Sequence, residues 1–136
     1  MRYFEDFFSD ILTDIVYFAL NFTKNSMDKI YIHCSNEKNC ISSNVFFQKD
    51  GKKIKRRDIK DVSDVEQRTL IHSINEKIKE IDFLCKNNKQ KSPTEIKLIY
   101  EVSEKHLFSK LNYENLYSDS ENLIVQNIFD KWFESI

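Results

Sequence analysis

Phe4, Phe7, Phe8, Ile11, Leu12, Ile15, Val16, Ala19, Leu20 and Phe22 recur at spacings of three and four, with Glu5, Asp6, Asp10 and Asp14 between them. A helix brings such positions to one side, so the first segment reads as an amphipathic helix with a broad aromatic stripe. A stripe of this kind could dock on a partner, and the reading taken is that it is core. From Lys29 the period falls to two. Ile30, Ile32 and Cys34 alternate with Tyr31 and His33, and after a polar loop Asn44, Val45, Phe46, Phe47 and Gln48 make a second strand. Asp50-Gly51 then supplies the residues that best tolerate a two-residue hairpin turn. The run 52–57 that follows carries one apolar residue, Ile54, and reads as an exposed edge strand guarded by its lysines.

Ser63 with Glu66 three residues later is a capping box. Leu70, Ile71, Ile74, Ile78, Ile81 and Cys85 continue at helical spacing, which predicts a second long helix over about 64–86. The polar stretch 87–93 ends in Pro93 and reads as a hinge loop between two halves of one domain, neither with elements enough for its own core. Ile96, Leu98, Tyr100 and Val102 alternate with Glu95, Lys97, Ile99 and Glu101, Ser103-Glu104-Lys105 turns, and Leu107, Phe108, Leu111 and Tyr113 complete a second hairpin. Ser118 and Glu121 offer another capping box. Leu123, Ile124, Ile128, Phe129, Trp132, Phe133 and Ile136 then line one face of a terminal helix. The order α-β-β-β-α-β-β-α favours an α+β fold: an antiparallel sheet of about five strands with helices packed against it, as a single domain over 1–136.

Composition sharpens this picture at three points. Hydrophobic residues at 40% with eleven Phe exclude a disordered chain, and one Gly with one Pro excludes glycine-rich phosphate cradles. The formal net charge of -1 is unevenly spread. Seven basic residues in 49–60 face only Asp50 and Asp58, whereas Glu114, Asp119, Glu121, Asp130 and Glu134 in 113–136 face only Lys131. Three cysteines without a CxxC spacing argue against a disulfide framework or a zinc site and point to a reducing compartment, the cytoplasm. The acids of the first helix interrupt what would otherwise read as a leader, and no apolar run is long enough for a membrane span.

Catalytic chemistry finds no foothold in the pattern. His33, His72 and His106 lack the paired spacing of metal ligands, so no metal and no cofactor is expected. Cys34 falls mid-strand and Cys85 on an apolar helix face, where thiols act as small hydrophobes; Cys40, placed in a loop, is the thiol to test for reactivity. The only glycine, Gly51, sits in a hairpin, which excludes a nucleophile elbow. The expectation is a binding protein rather than an enzyme. Lys52, Lys53, Lys55, Arg56 and Arg57 form the best nucleic-acid candidate, but no aromatic is interleaved to stack bases, so a solvated edge is preferred and a small nucleic-acid regulator is the alternative reading.

The C-terminal third carries a pattern of its own: Ser92-Pro93-Thr94-Glu95-Ile96-Lys97-Leu98-Ile99-Tyr100-Glu101, then Leu111-Asn112-Tyr113-Glu114, then Ile128-Phe129-Asp130-Lys131-Trp132-Phe133. It resembles the YezG-like immunity family of bacteria, and the resemblance falls mainly within 92–136. That resemblance implies a small cytoplasmic antitoxin that binds one-to-one to a cognate toxin domain, commonly a nuclease of a polymorphic or contact-dependent system, and blocks its active site. An inhibitor of a cationic nuclease site can occupy it with carboxylates and aromatic anchors. Tyr113, Glu114, Tyr117, Asp119 and Glu121 are the densest acidic and aromatic cluster here, and they are the candidate toxin-binding residues. Read without the resemblance, Tyr113 is core, and Asp119 and Glu121 suit a helix N-terminus.

Overall fold

The computed structural model describes residues 3–136. Met1 and Arg2 lie outside the described residues. Nine elements follow in order: α1 (Phe4–Phe22), β1 (Lys29–Glu37), β2 (Cys40–Lys49), β3 (Lys52–Lys55), a 3-10 turn (Arg56–Asp58), α2 (Asp64–Asn87), β4 (Glu95–Glu101), β5 (His106–Asn112) and α3 (Val125–Ser135). The strands form one antiparallel sheet in the order β3-β2-β1-β4-β5, the α+β architecture expected from the alternating periods. No helix among the described residues is long and apolar enough to cross a membrane.

β1 is the axis of the molecule, paired on one side with β2 and on the other with β4. Successive side chains of a strand point to opposite faces. Ile30, Ile32 and Cys34 therefore join Val45 and Phe47 of β2 and Ile96 and Leu98 of β4 on one face, where Ile15, Val16 and Ala19 of α1 and Leu70, Ile74 and Ile78 of α2 cover them. Tyr31 and Phe46 look the other way and meet Phe129 and Trp132 of α3. Phe46 and Phe47 are adjacent, both fully buried, and belong to different cores. The second core is aromatic: Tyr31 and Phe46 stack with centroids 4.4 Å apart, and Trp132 meets Phe46 edge-on at 5.2 Å. Offset and edge-on rings of this kind add to simple area burial.

Both hairpins of the N-terminal half turn on left-handed residues. Asp50 and Gly51 have φ of 51° and 78°, as a two-residue turn requires. Changing Gly51 to Ala should cost about 1 kcal/mol through backbone strain alone, since a Cβ there meets nothing within 4 Å; a denaturation midpoint no lower than that of the parent would contradict the assignment.

The polar loop expected between the first two strands is instead strand. Lys38 and Asn39 also take positive φ (50° and 65°), so Glu37 pairs with Cys40 across a tight turn and Cys40 is the exposed first residue of β2. At the other end, the basic strand expected to reach Arg57 stops at Lys55, because Arg56 turns off the sheet toward Gln67 of α2. The terminal helix begins at Val125 and not near Ser118, with Ile124 N donating to Asn127 Oδ1 at 2.8 Å. Asp119 and Glu121 therefore lie outside any helical turn.

Candidate interaction surface

The segment 113–124 between β5 and α3 has no regular structure, yet its backbone is tied down along its length. The central tie comes from Glu37, at the end of β1. Its side chain is 1% exposed and its two oxygens accept the backbone N–H groups of Leu116 (2.8 Å), Tyr117 (3.3 Å) and Ser118 (2.9 Å). Burial by itself would push this carboxyl up, but the three backbone N–H donors outweigh it and hold the group below its ordinary value. A carboxylate taking three backbone donors substitutes for the helix turn that the Ser118 capping box would have started.

Further ties close both ends. The Thr94 hydroxyl bonds the carbonyls of Asn112 (3.1 Å) and Glu114 (2.7 Å), and Glu114 N donates to Asn112 Oδ1. Ser35 Oγ lies 2.8 Å from the Tyr117 hydroxyl, and Lys38 forms an ion pair with Asp119.

The five candidate residues are thus brought together on one loop but do different things. Tyr113 is 39% exposed with Lys91 Nζ 6.0 Å from its ring centre, so it is not core. The carboxylates of Glu114 and Glu121 are exposed. Tyr117 is half-buried and, through Ser35, positions the loop; burial raises its phenol. Asp119 is exposed but shared between Lys38 and Asn115, which lower it. Leu123 (41%) and Ile124 (62%) extend the surface with apolar area toward α3. Sequence reasoning missed Ser35, Glu37, Lys38 and Thr94, the residues that hold the loop. The signal is in the sequence: Ser35 and Glu37 continue the alternation of Tyr31 and His33 beyond Cys34.

The basic candidates do not form one stripe. Lys53 donates to the Phe133 carbonyl at 2.8 Å and, with Lys55, lies over the Phe133 ring at 4.6 and 5.1 Å. Lys52 is exposed at the hairpin, and Arg56 and Arg57 turn toward α2. Two of the five candidates, Lys53 and Lys55, therefore serve the packing of α3.

The remaining chemical candidates are occupied. His33 and Glu95 are buried beneath α3 with His33 Nε2 2.7 Å from Glu95 Oε2, each satisfying the other as buried polar groups must. Cys34 is buried and its thiol is pushed up to about 12, and burial also raises Cys85, so neither is poised as a nucleophile. Among the described residues no three His, Cys, Asp or Glu side chains converge as metal ligands would. No family model matches the chain, and no curated protein does so either.

Proposed function

We propose that the protein is an immunity protein, a non-enzymatic inhibitor that binds one-to-one to a cognate bacterial toxin domain and occupies its active site with the 113–124 loop. The observation that carries the reading is the Glu37 anchor: a buried carboxylate bonded to three consecutive backbone N–H groups fixes the conformation of a surface loop whose outward side chains are acidic and aromatic. A loop already ordered before it meets its partner loses little entropy on binding, so more of the contact energy becomes affinity. Tyr113, Leu123 and Ile124 supply anchoring area, and Glu114 and Glu121 supply the charge that suits a cationic nuclease cleft, with Asp119 already paired to Lys38. The sequence resemblance of 92–136 to YezG-like immunity proteins supports the same reading.

The test begins with tagged protein purified from its native host in moderate salt, followed by co-expression with whatever stoichiometric partner elutes. Protection from that partner's toxicity is expected. Glu114→Lys with Glu121→Lys should abolish it, and Tyr113→Ala should weaken the complex roughly 30-fold, the effect of losing an aromatic anchor worth about 2 kcal/mol. Persistent toxicity in the presence of the unaltered protein, or full protection by the double charge reversal, would sink the proposal.

A further inference from the structure

The exit from β3 and the first turns of α2 enclose an open groove of about 670 Å³ lined by Arg56, Arg57, Arg68, His72, Gln67 and Asp64, with Val62, Ile71 and Asn75 completing it. We propose that this groove binds the phosphate of a nucleotide-sized ligand. The inference does not depend on the immunity reading, which concerns the 113–124 loop and none of the groove's residues.

Three guanidiniums face one carboxylate across the groove, an imbalance that a stability role does not require. Arg56 is held in place from below. Its Nη1 donates to Gln67 Oε1 at 2.6 Å and its Nε to Asn44 Oδ1 at 3.2 Å, while Gln67 Nε2 donates back to the Arg56 carbonyl at 3.0 Å. Both acceptors are neutral amides, so the positive charge is oriented without being cancelled, and the remaining N–H donors of the fork are left for another acceptor. Burial and the neighbouring Arg57 charge lower Arg56 from its ordinary value, although a guanidinium stays charged regardless.

Arg57 and Arg68 are exposed, and among the described residues no carboxylate lies within ion-pairing distance of either. The arrangement follows from the sequence. Ser63 and Glu66 cap α2, with Glu66 occupied by the cap, so Gln67, Arg68, Ile71, His72 and Asn75 rise on adjoining turns facing the 3-10 turn that carries Arg56 and Arg57. Planar guanidinium forks match phosphate oxygens in pairs, and the volume falls within the range of small-ligand sites. Convergence on one concavity, rather than spacing along a ridge, favours a compact phosphate over an extended acidic peptide. Val62 and Ile71 offer apolar surface to the rest of the ligand.

The test is calorimetric titration of the full chain in low salt with pyrophosphate, ADP, adenosine, and a short single-stranded DNA with and without a 5′-phosphate. Pyrophosphate and ADP should bind saturably and adenosine should not. Arg57→Glu and Arg68→Glu, both at exposed positions, should each weaken ADP at least tenfold, while Lys105→Glu on the distant β4–β5 turn leaves it unchanged. Binding of the phosphorylated oligonucleotide above ADP would identify a strand end as the source of the phosphate, and binding of ADP at least as tightly would identify a free nucleotide. The proposal is overturned by absence of saturable phosphate binding, by unchanged affinity in both arginine variants, or by an oligoglutamate peptide that competes as well as ADP.

Discussion

Replacing Glu37 with Ala is expected to lower stability by roughly 3 kcal/mol, about 10 °C in midpoint for a chain of this size. The carboxylate serves three backbone donors at once, and without it Leu116, Tyr117 and Ser118 present unpaired N–H groups to a buried site unless the loop lifts off. Hydrogen exchange separates this from a general loss of packing: those three amides should exchange much faster while the β1–β2 ladder keeps its protection relative to the global value. Glu37→Gln should recover only part of the loss, since its amide nitrogen adds a donor opposite donors. The same group sets a pH response. Because its folded-state pKa lies below the ordinary value, the unfolded chain takes up the proton first as pH falls. The stabilisation is complete above the ordinary carboxylate range and is lost as pH drops through the folded value. In Glu37→Ala the acid limb of the stability curve should be shallower. An unchanged limb, with loop amides as protected as in the parent, would refute the anchor.

The second large effect concerns two neighbours. Phe46→Ala and Phe47→Ala should each cost about 3–5 kcal/mol, the usual range for emptying a buried aromatic site. Their consequences should differ because the two rings point to opposite faces of β2. Phe46 contacts Tyr31, Phe129, Trp132 and Phe133, so its loss should free α3 and let helix amides exchange through local opening. Phe47 lies in the core shared by α1 and α2 and stacks on Phe22, so its loss should lower protection everywhere together. Matching exchange patterns in the two variants would mean that the two faces do not behave as separate cores.

The element order was legible because periods of two and near four are imposed by the backbone and survive any tertiary context. Ile30, Ile32 and Cys34 announced β1, and the α2 stripe from Leu70 to Cys85 announced itself equally well. What could not be read was long-range polar pairing. Glu37 looks like a loop residue until Leu116, 79 positions away, supplies its donor. The same contact takes the place of half of the capping box at Ser118: the backbone N–H that the Glu121 side chain would have accepted is bonded to Glu37 instead. The toxin-binding candidates were recognised as a cluster by composition. Their division into projecting side chains, such as Tyr113 and Glu121, and positioning ones, such as Tyr117, needed coordinates. The cationic groove was hidden for a related reason: Arg68 and Arg56 are on different elements, and only the clamp of Gln67 on Arg56 brings them to one concavity.

The place of β1 between β2 and β4 also sets an order of events during synthesis. β2 follows β1 by a two-residue turn and can zip against it at once, but β4 begins at Glu95, 66 residues after Lys29, and reaches the ribosome exit only after the whole of α2. Until then the far edge of β1 presents a row of unpaired backbone groups, and its apolar face of Ile30, Ile32 and Cys34 still lacks the cover of α2 and β4. A nascent chain in that interval is a half-sheet open to any extended segment nearby. Translation speed through α2, rather than the strength of either core, thus governs how long each copy is exposed to mispairing.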